Sequence, residues 1–160
     1  MGAGRPDDFE DRIMKGLKVL KEGDTLIHLG DFCIGKDEEW HKRFHDALVG
    51  VKKILIRGNH DNKSYNWYLE HGWDSVCEIM QGRYFGKEVL FSHMPILKKK
   101  FWEIYYEPVM NIHGHLHGAV NRHNAETTYD FNFNYDVAPD THGYKPVLLE
   151  ELLRKYEKRN

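Results

Sequence analysis

The sequence predicts an α/β domain that carries its chemistry at the carboxyl ends of its strands. Three observations support this. Short apolar runs of strand length recur along the chain. Each ends in an Asp, Asn or His beside a Gly or Pro, where the backbone can turn. Amphipathic helical patterns separate the first of these runs, as in an open sheet whose strand ends form a crevice. A length of 160 residues suits one domain with a real core, 1–160.

The elements follow in order. Asp7 or Asp8 can cap a helix from Phe9 to Lys21, with Phe9, Ile13, Leu17 and Leu20 on one face and Gly23 just beyond. Thr25-Leu26-Ile27-His28-Leu29 then runs into Gly30-Asp31. Asp37 to Val49 reads as a second helix, because Trp40, Phe44 and Leu48 recur every four residues. Lys53-Ile54-Leu55-Ile56-Arg57 runs into Gly58-Asn59-His60-Asp61. Ser64 can cap a short helix through Tyr65, Tyr68 and Leu69 that closes at Gly72. Asp74 to Met80 and Arg83 to Phe85 read as strands turning at Gln81-Gly82.

Glu88-Val89-Leu90-Phe91-Ser92 runs into His93-Met94-Pro95, and Val109-Met110-Asn111-Ile112-His113 into Gly114-His115-Leu116-His117. Tyr129, Phe131, Phe133 and Tyr135 alternate with polar residues as a half-buried strand does. Pro146 to Leu149 reads as a short strand and Glu150 to Arg159 as a charged helix.

The strand ends bring together Asp31, Asn59, His93, His115 and His117, a mixed oxygen and imidazole set. Such a set suits manganese, iron, zinc or nickel better than calcium or a thiolate-bound zinc. Asp31 has two oxygens and can bridge two cations. His60 sits beside Asn59, and adjacent side chains diverge, so His60 is placed to face substrate. Asp61 is expected to hydrogen-bond His60 and favour its protonated form, as a general acid requires. Arg57 is a candidate phosphate clamp.

The remaining histidines are expected to be unremarkable. His41 and His45 lie four apart and could chelate a metal, but Lys42 and Arg43 flank them on a polar helix face and no carboxylate sits as in His-Glu-x-x-His. Together with His71 and His123 they read as surface residues. His28 points away from the line of Asp31, and His113 reads as core or as a support for His115.

Gly30-Asp31, Gly58-Asn59-His60-Asp61, His93 and Gly114-His115-Leu116-His117 stand in the order and at the spacings of the calcineurin-like metallophosphoesterases, which the chain resembles from Arg5 to Leu152. His28-Leu29-Gly30-Asp31-Phe32, Ser92-His93-Met94-Pro95 and Gly143-Tyr144-Lys145-Pro146 resemble the small bacterial and phage branch. The resemblance implies a four-layer α/β/β/α sandwich and two divalent cations, manganese foremost. Under it Asp31 bridges the ions, Asn59, His93 and His115 complete one site, and His117 belongs to the other. His60 donates a proton to the leaving group, and the substrate is a small phosphate ester, a nucleotide among the candidates.

One departure matters. The family opens with a strand ending in Asp-x-His, and this sequence has none before Arg5. The first strand and two ligands are therefore expected to be missing, the domain to be incomplete at its N-terminus, and the second cation to be held weakly. Asp140-Thr141-His142 has the right letters for a substitute but reads as a Pro-Asp turn.

Two rivals remain. A catalytically impaired phosphoesterase fold can serve as a binding scaffold, and the basic-aromatic run from Lys98 to Tyr106 suggests nucleic-acid binding. The formal charge of −2 speaks against the latter. No run approaches membrane-spanning length, and Cys33 and Cys77 form no Cys-x-x-Cys pair, so a cytoplasmic protein is expected.

Overall fold

A computed structural model describes residues 5–96, 108–117 and 130–158. Two sheets and their helices form an α/β sandwich. The first sheet is parallel, in the order β1 (Thr25–His28), β2 (Lys52–Ile56), β3 (Ser75–Cys77). Helix α1 (Phe9–Gly16) precedes it, and α2 (Asp37–Ala47) and α3 (Tyr65–Glu70) make the crossovers. The predicted cap of α3 is present: Ser64 Oγ accepts from the Trp67 N–H at 3.1 Å. The predicted first helix ends early at Gly16, and a 3-10 turn, Leu17–Val19, follows. Gly16 lies against the Tyr144 carbonyl, where a Cβ would collide.

The second sheet runs β4 (Ile79–Tyr84), β5 (Lys87–Ser92), β6 (Met110–His113), β7 (Asn134–Asp136). β4 and β5 form an antiparallel hairpin, while β5–β6 and β6–β7 are parallel. The hairpin turns at Phe85-Gly86, not at Gln81-Gly82. Both turn residues have positive φ, +50° and +78°, which suits the twist of a two-residue hairpin. Gly82 instead pairs with Val89 inside the ladder.

The long aromatic strand expected from Tyr129 is only β7. Phe131 is exposed in a turn, Phe133 is buried, and Tyr129 lies outside the described residues. Pro146 to Leu148 is extended without pairing, and Leu149 already begins helix α4 (Leu149–Glu157). No helix among the described residues is long and apolar enough to cross a membrane.

Two clusters form the core, on opposite faces of the first sheet. Leu55 faces Leu17, Phe44, Leu48, Tyr68 and Trp73 on the helical side. Ile54 and Ile56 face Val89, Phe91, Met110 and Ile112 of the second sheet, where α4 adds Leu152 and Leu153. Alternation along β2 therefore fills both clusters from one strand.

The helical side also holds histidines expected at the surface. His41 is buried, and His28, His41 and His45 each approach Trp73, with ring centroids 5.9, 6.2 and 5.8 Å away. His71 stacks on Trp67 at 3.7 Å. The α2 face carrying His41 and His45 turns inward because Phe44, between them, anchors it against Trp73. His123 lies outside the described residues. His28 Nδ1, His41 Nε2, His45 Nε2 and Trp73 Nε1 are sealed from water without a hydrogen-bond partner. Burial, the largest influence on each, pushes the pKa of His28 and of His45 down to about 4 and lowers that of His41.

This cluster makes the fold acid-sensitive. His28 and His45 stay neutral in the folded chain down to about pH 4 and take a proton near 6.5 once unfolded. The unfolded state thus binds more protons between these values, and their contribution is complete above about pH 6.5 and lost as pH falls toward 4. EDTA-treated protein should melt roughly 5 °C or more lower at pH 5 than at pH 7.5, and His28→Leu should flatten that dependence. Equal melting temperatures at the two pH values would count against the cluster as the acid-sensitive element.

Candidate metal centre

Adjacent parallel strands set the first half of the site. β1 and β2 pair in register from Thr25↔Lys52 to His28↔Leu55, so their exit turns emerge side by side. Gly30 and Gly58 bring these turns into contact. A Cβ on Gly30 would meet the Gly58 backbone and lie 2.7 Å from His93 Nδ1, and one on Gly58 would meet Asp31.

The Asp61 carboxylate fastens the two turns together. It is buried and accepts three backbone N–H groups, from Asp31 at 2.7 Å, Phe32 at 3.0 Å and Gly58 at 2.8 Å. The expected hydrogen bond to His60 is not its role. The exposed His60 instead donates its backbone N–H to Asp31 Oδ1 at 2.9 Å. Arg57 braces the same turn. Its Nε and Nη2 donate to the Asp61 carbonyl at 3.1 and 2.7 Å, and Nη1 to Glu78 at 3.0 Å. Three of its five N–H groups are thus engaged by protein acceptors.

The second sheet supplies the other half. Parallel β5 and β6 end at His93 and at the turn 114–117, joined by the Gly114 N–H donating to the His93 carbonyl at 3.1 Å. Buried Asn111 supports the His93 turn: its side chain donates to Ser92 Oγ at 2.8 Å and accepts the Ile96 N–H at 3.0 Å. His113 is buried beneath, as expected of a core residue. His93 Nδ1 crosses to the first sheet and donates to the Leu29 carbonyl at 2.7 Å.

That bond fixes the tautomer of His93 and leaves Nε2 with a lone pair. Nε2 lies 2.9 Å from His115 Nδ1, 3.0 Å from Asn59 Oδ1 and 3.3 Å from Asp31 Oδ2. Donor atoms of Asp31, His93 and His115 all lie within 4.8 Å of one another. A proton on His115 Nδ1 can donate to the His93 Nε2 lone pair, and with both nitrogens unprotonated the cluster is open to a cation. Asp31 and His93 also pair directly with each other. Burial opposes ionisation of both groups, yet their mutual contact wins, lowering the Asp31 pKa and raising that of His93. These residues fit a divalent cation of borderline hardness.

The backbone is strained at the same points. Asp31, His115 and His117 have φ of +52°, +65° and +49°, in the left-handed region that L-residues enter at some cost. His117 stands apart from the convergence. Its Nδ1 lies 3.0 Å from an Asp140 carboxylate oxygen, and Arg5 Nη2 approaches both ring nitrogens. Asp140, on the 3-10 turn Pro139–Thr141, is thus brought to His117. His142 is not: it stacks on Tyr135, and its Nε2 meets the Asp136 carbonyl at 2.9 Å. Arg5 carried no signal of its own in the sequence.

The chain belongs to the calcineurin-like phosphoesterase family, whose profile matches residues 2–159. Among solved structures it is similar to a protein of unknown function from Aquifex aeolicus. That protein is 27% identical with a TM-score of 0.70, over 96% of this chain and 88% of the other. No curated protein matches the chain.

Asp61→Ala should strip three buried N–H groups of their acceptor and separate the two turns. A loss of about 3 kcal/mol or more in urea unfolding is expected, along with weakened cation binding. A variant as stable as wild type would show that the turns are held by other means.

Proposed function

We propose that the protein is a metal-dependent phosphoesterase that hydrolyses a small phosphomonoester or phosphodiester with activated water. The observation that carries this reading is the approach of Asp31, Asn59 and His115 to the Nε2 lone pair of His93. Family membership supports the same chemistry. Asp31, Asn59, His93 and His115 would hold the ion, with manganese foremost and iron, nickel or zinc as alternatives. A bound divalent cation supplies Lewis acidity: it polarises phosphoryl oxygens and makes water acidic enough to act near neutral pH.

The chain's own residues do the rest. Asp61 and Arg57 hold the 58–61 turn. Asn59 faces the convergence while exposed His60, next in sequence, is free to face the ester. His60 protonates the departing alkoxide. Its imidazole acts on the leaving group and its backbone N–H steadies Asp31. A scaffold role remains the alternative; turnover of a chromogenic phosphodiester with added manganese separates the two.

Two variants test the assignment. His60→Gln should leave metal content nearly unchanged and lower kcat by about 10²–10⁴-fold for a poor leaving group, but less for nitrophenolate, which needs little protonation. Equal losses with both substrates would remove His60 as the acid. Asp31→Asn should cost more bound metal than His93→Ala or His117→Ala, because it removes charge at the point where the donors meet. The reverse ranking would contradict the proposed ligand set.

A further inference from the structure

Resting on the phosphoesterase reading, we propose that Tyr65 is a stacking platform for the leaving group, and that this group carries a nucleobase, so that the substrate is a nucleoside phosphate ester. The placement comes from the parallel first sheet. Its strands β1, β2 and β3 lie side by side in that order and deliver their exit turns to one end. Asp31 follows β1, the 58–61 turn follows β2, and Glu78 follows β3. The metal donors gather on the β1 side, where His93 reaches the Leu29 carbonyl at 2.7 Å. Exposed His60 is on the middle turn. Tyr65 stands on the β3 side of that turn, tied to Glu78. An ester with its phosphorus at the donors and its leaving oxygen at His60 extends its leaving group along this rim toward Tyr65.

Tyr65 is held from two directions. Its ring lies over the Arg57 guanidinium, 5.0 Å from centroid to Cζ, and its hydroxyl donates to Glu78 Oε1 at 2.7 Å. Arg57 Nη1 donates to the same oxygen at 3.0 Å, closing a triangle of side chains. Arg57 also donates to the carbonyl of Asp61, the residue after His60, so the platform and the proposed acid share one support. A tyrosine fixed this firmly nevertheless keeps 41% of its surface exposed, and it belongs to neither core cluster. A ring that is both immobilised and exposed has the form of a stacking surface, because ordering it in advance lowers the entropy lost on binding.

The chemistry beside the ring selects among planar groups. Glu78 Oε1 takes both bonds, whereas Oε2 accepts none among the described residues, and the side chain is 59% exposed. An anionic acceptor at the edge of a stacking surface favours a planar ligand with N–H donors over a plain aryl ring. The exocyclic amino groups of adenine, cytosine and guanine are such donors.

The test uses the full 160-residue chain loaded with manganese. Its ligands are the phosphonate analogues of AMP and of ribose 5-phosphate, in which a methylene replaces the ester oxygen, so neither is cleaved and they differ only in the base. Calorimetry should show the AMP analogue binding at least about fivefold more tightly, the low end of what one stacked base contributes. Tyr65→Ala should erase that preference while leaving manganese content and the affinity for the ribose analogue as in wild type. Tyr65→Phe keeps the ring and should keep most of the preference. A third analogue, with phenyl in place of adenine, should bind between the other two. Equal wild-type affinities for the AMP and ribose analogues, or a preference that survives Tyr65→Ala, would overturn the platform. A phenyl analogue that binds as tightly as the AMP analogue would overturn the nucleobase. A base preference without turnover of a chromogenic phosphodiester in added manganese would instead overturn the phosphoesterase reading on which the inference rests.

Discussion

The candidate centre depends on one buried carboxylate. Asp61 takes backbone N–H groups from two turns that belong to different strands, and so converts neighbouring strand ends into a single rigid rim. Helix and sheet leave these N–H groups without ladder partners, and a buried donor without an acceptor is costly. The same bonds that satisfy the backbone therefore set where Asp31 and Asn59 point. Gly30 and Gly58 make the contact possible because no side chain separates the turns.

The second constraint is the pairing between sheets. β1–β2 and β5–β6 are both parallel, so each pair delivers two turns to one end. The second core cluster presses the Ile54–Ile56 face of the first sheet onto the Val89–Phe91 face of the second. The His93–Leu29 hydrogen bond ties the sheets at the level of the turns. The donor atoms meet because apolar packing fixes the spacing of the sheets and one polar bond fixes their alignment.

Much of this was legible in the sequence. A strand that ends in Gly-Asp or Gly-Asn-His-Asp declares both its direction and its polar cargo, so the four turns could be read without a structure. What escaped depends on contacts distant in sequence. His41 and His45 lie among charged neighbours on α2, and nothing local reveals that Phe44 will seat against Trp73 and carry them inward. Asp61 looks like a partner for His60, and its real partners lie three and about thirty residues away. Asp140 is a turn residue by its neighbours, and only the fold brings its carboxylate to His117. The turn at Phe85-Gly86 was misplaced because Gln81-Gly82 offers an equally plausible glycine, and the ladder register decides between them.

The left-handed backbone at Asp31, His115 and His117 bears on how such a site can change over evolutionary time. Few side chains tolerate that conformation; Asn, Asp and His are the non-glycine residues found there most often beyond chance. Those same three carry oxygen or nitrogen donors. Glycine aside, the replacements that best spare the backbone are the ones that keep an atom able to reach into the crevice. Branched aliphatic residues, which would silence the chemistry, are also the ones the turn resists. Backbone geometry thus acts as a partial filter on mutation, favouring a donor-bearing rim over branched aliphatic side chains even while substrate preference is free to diverge.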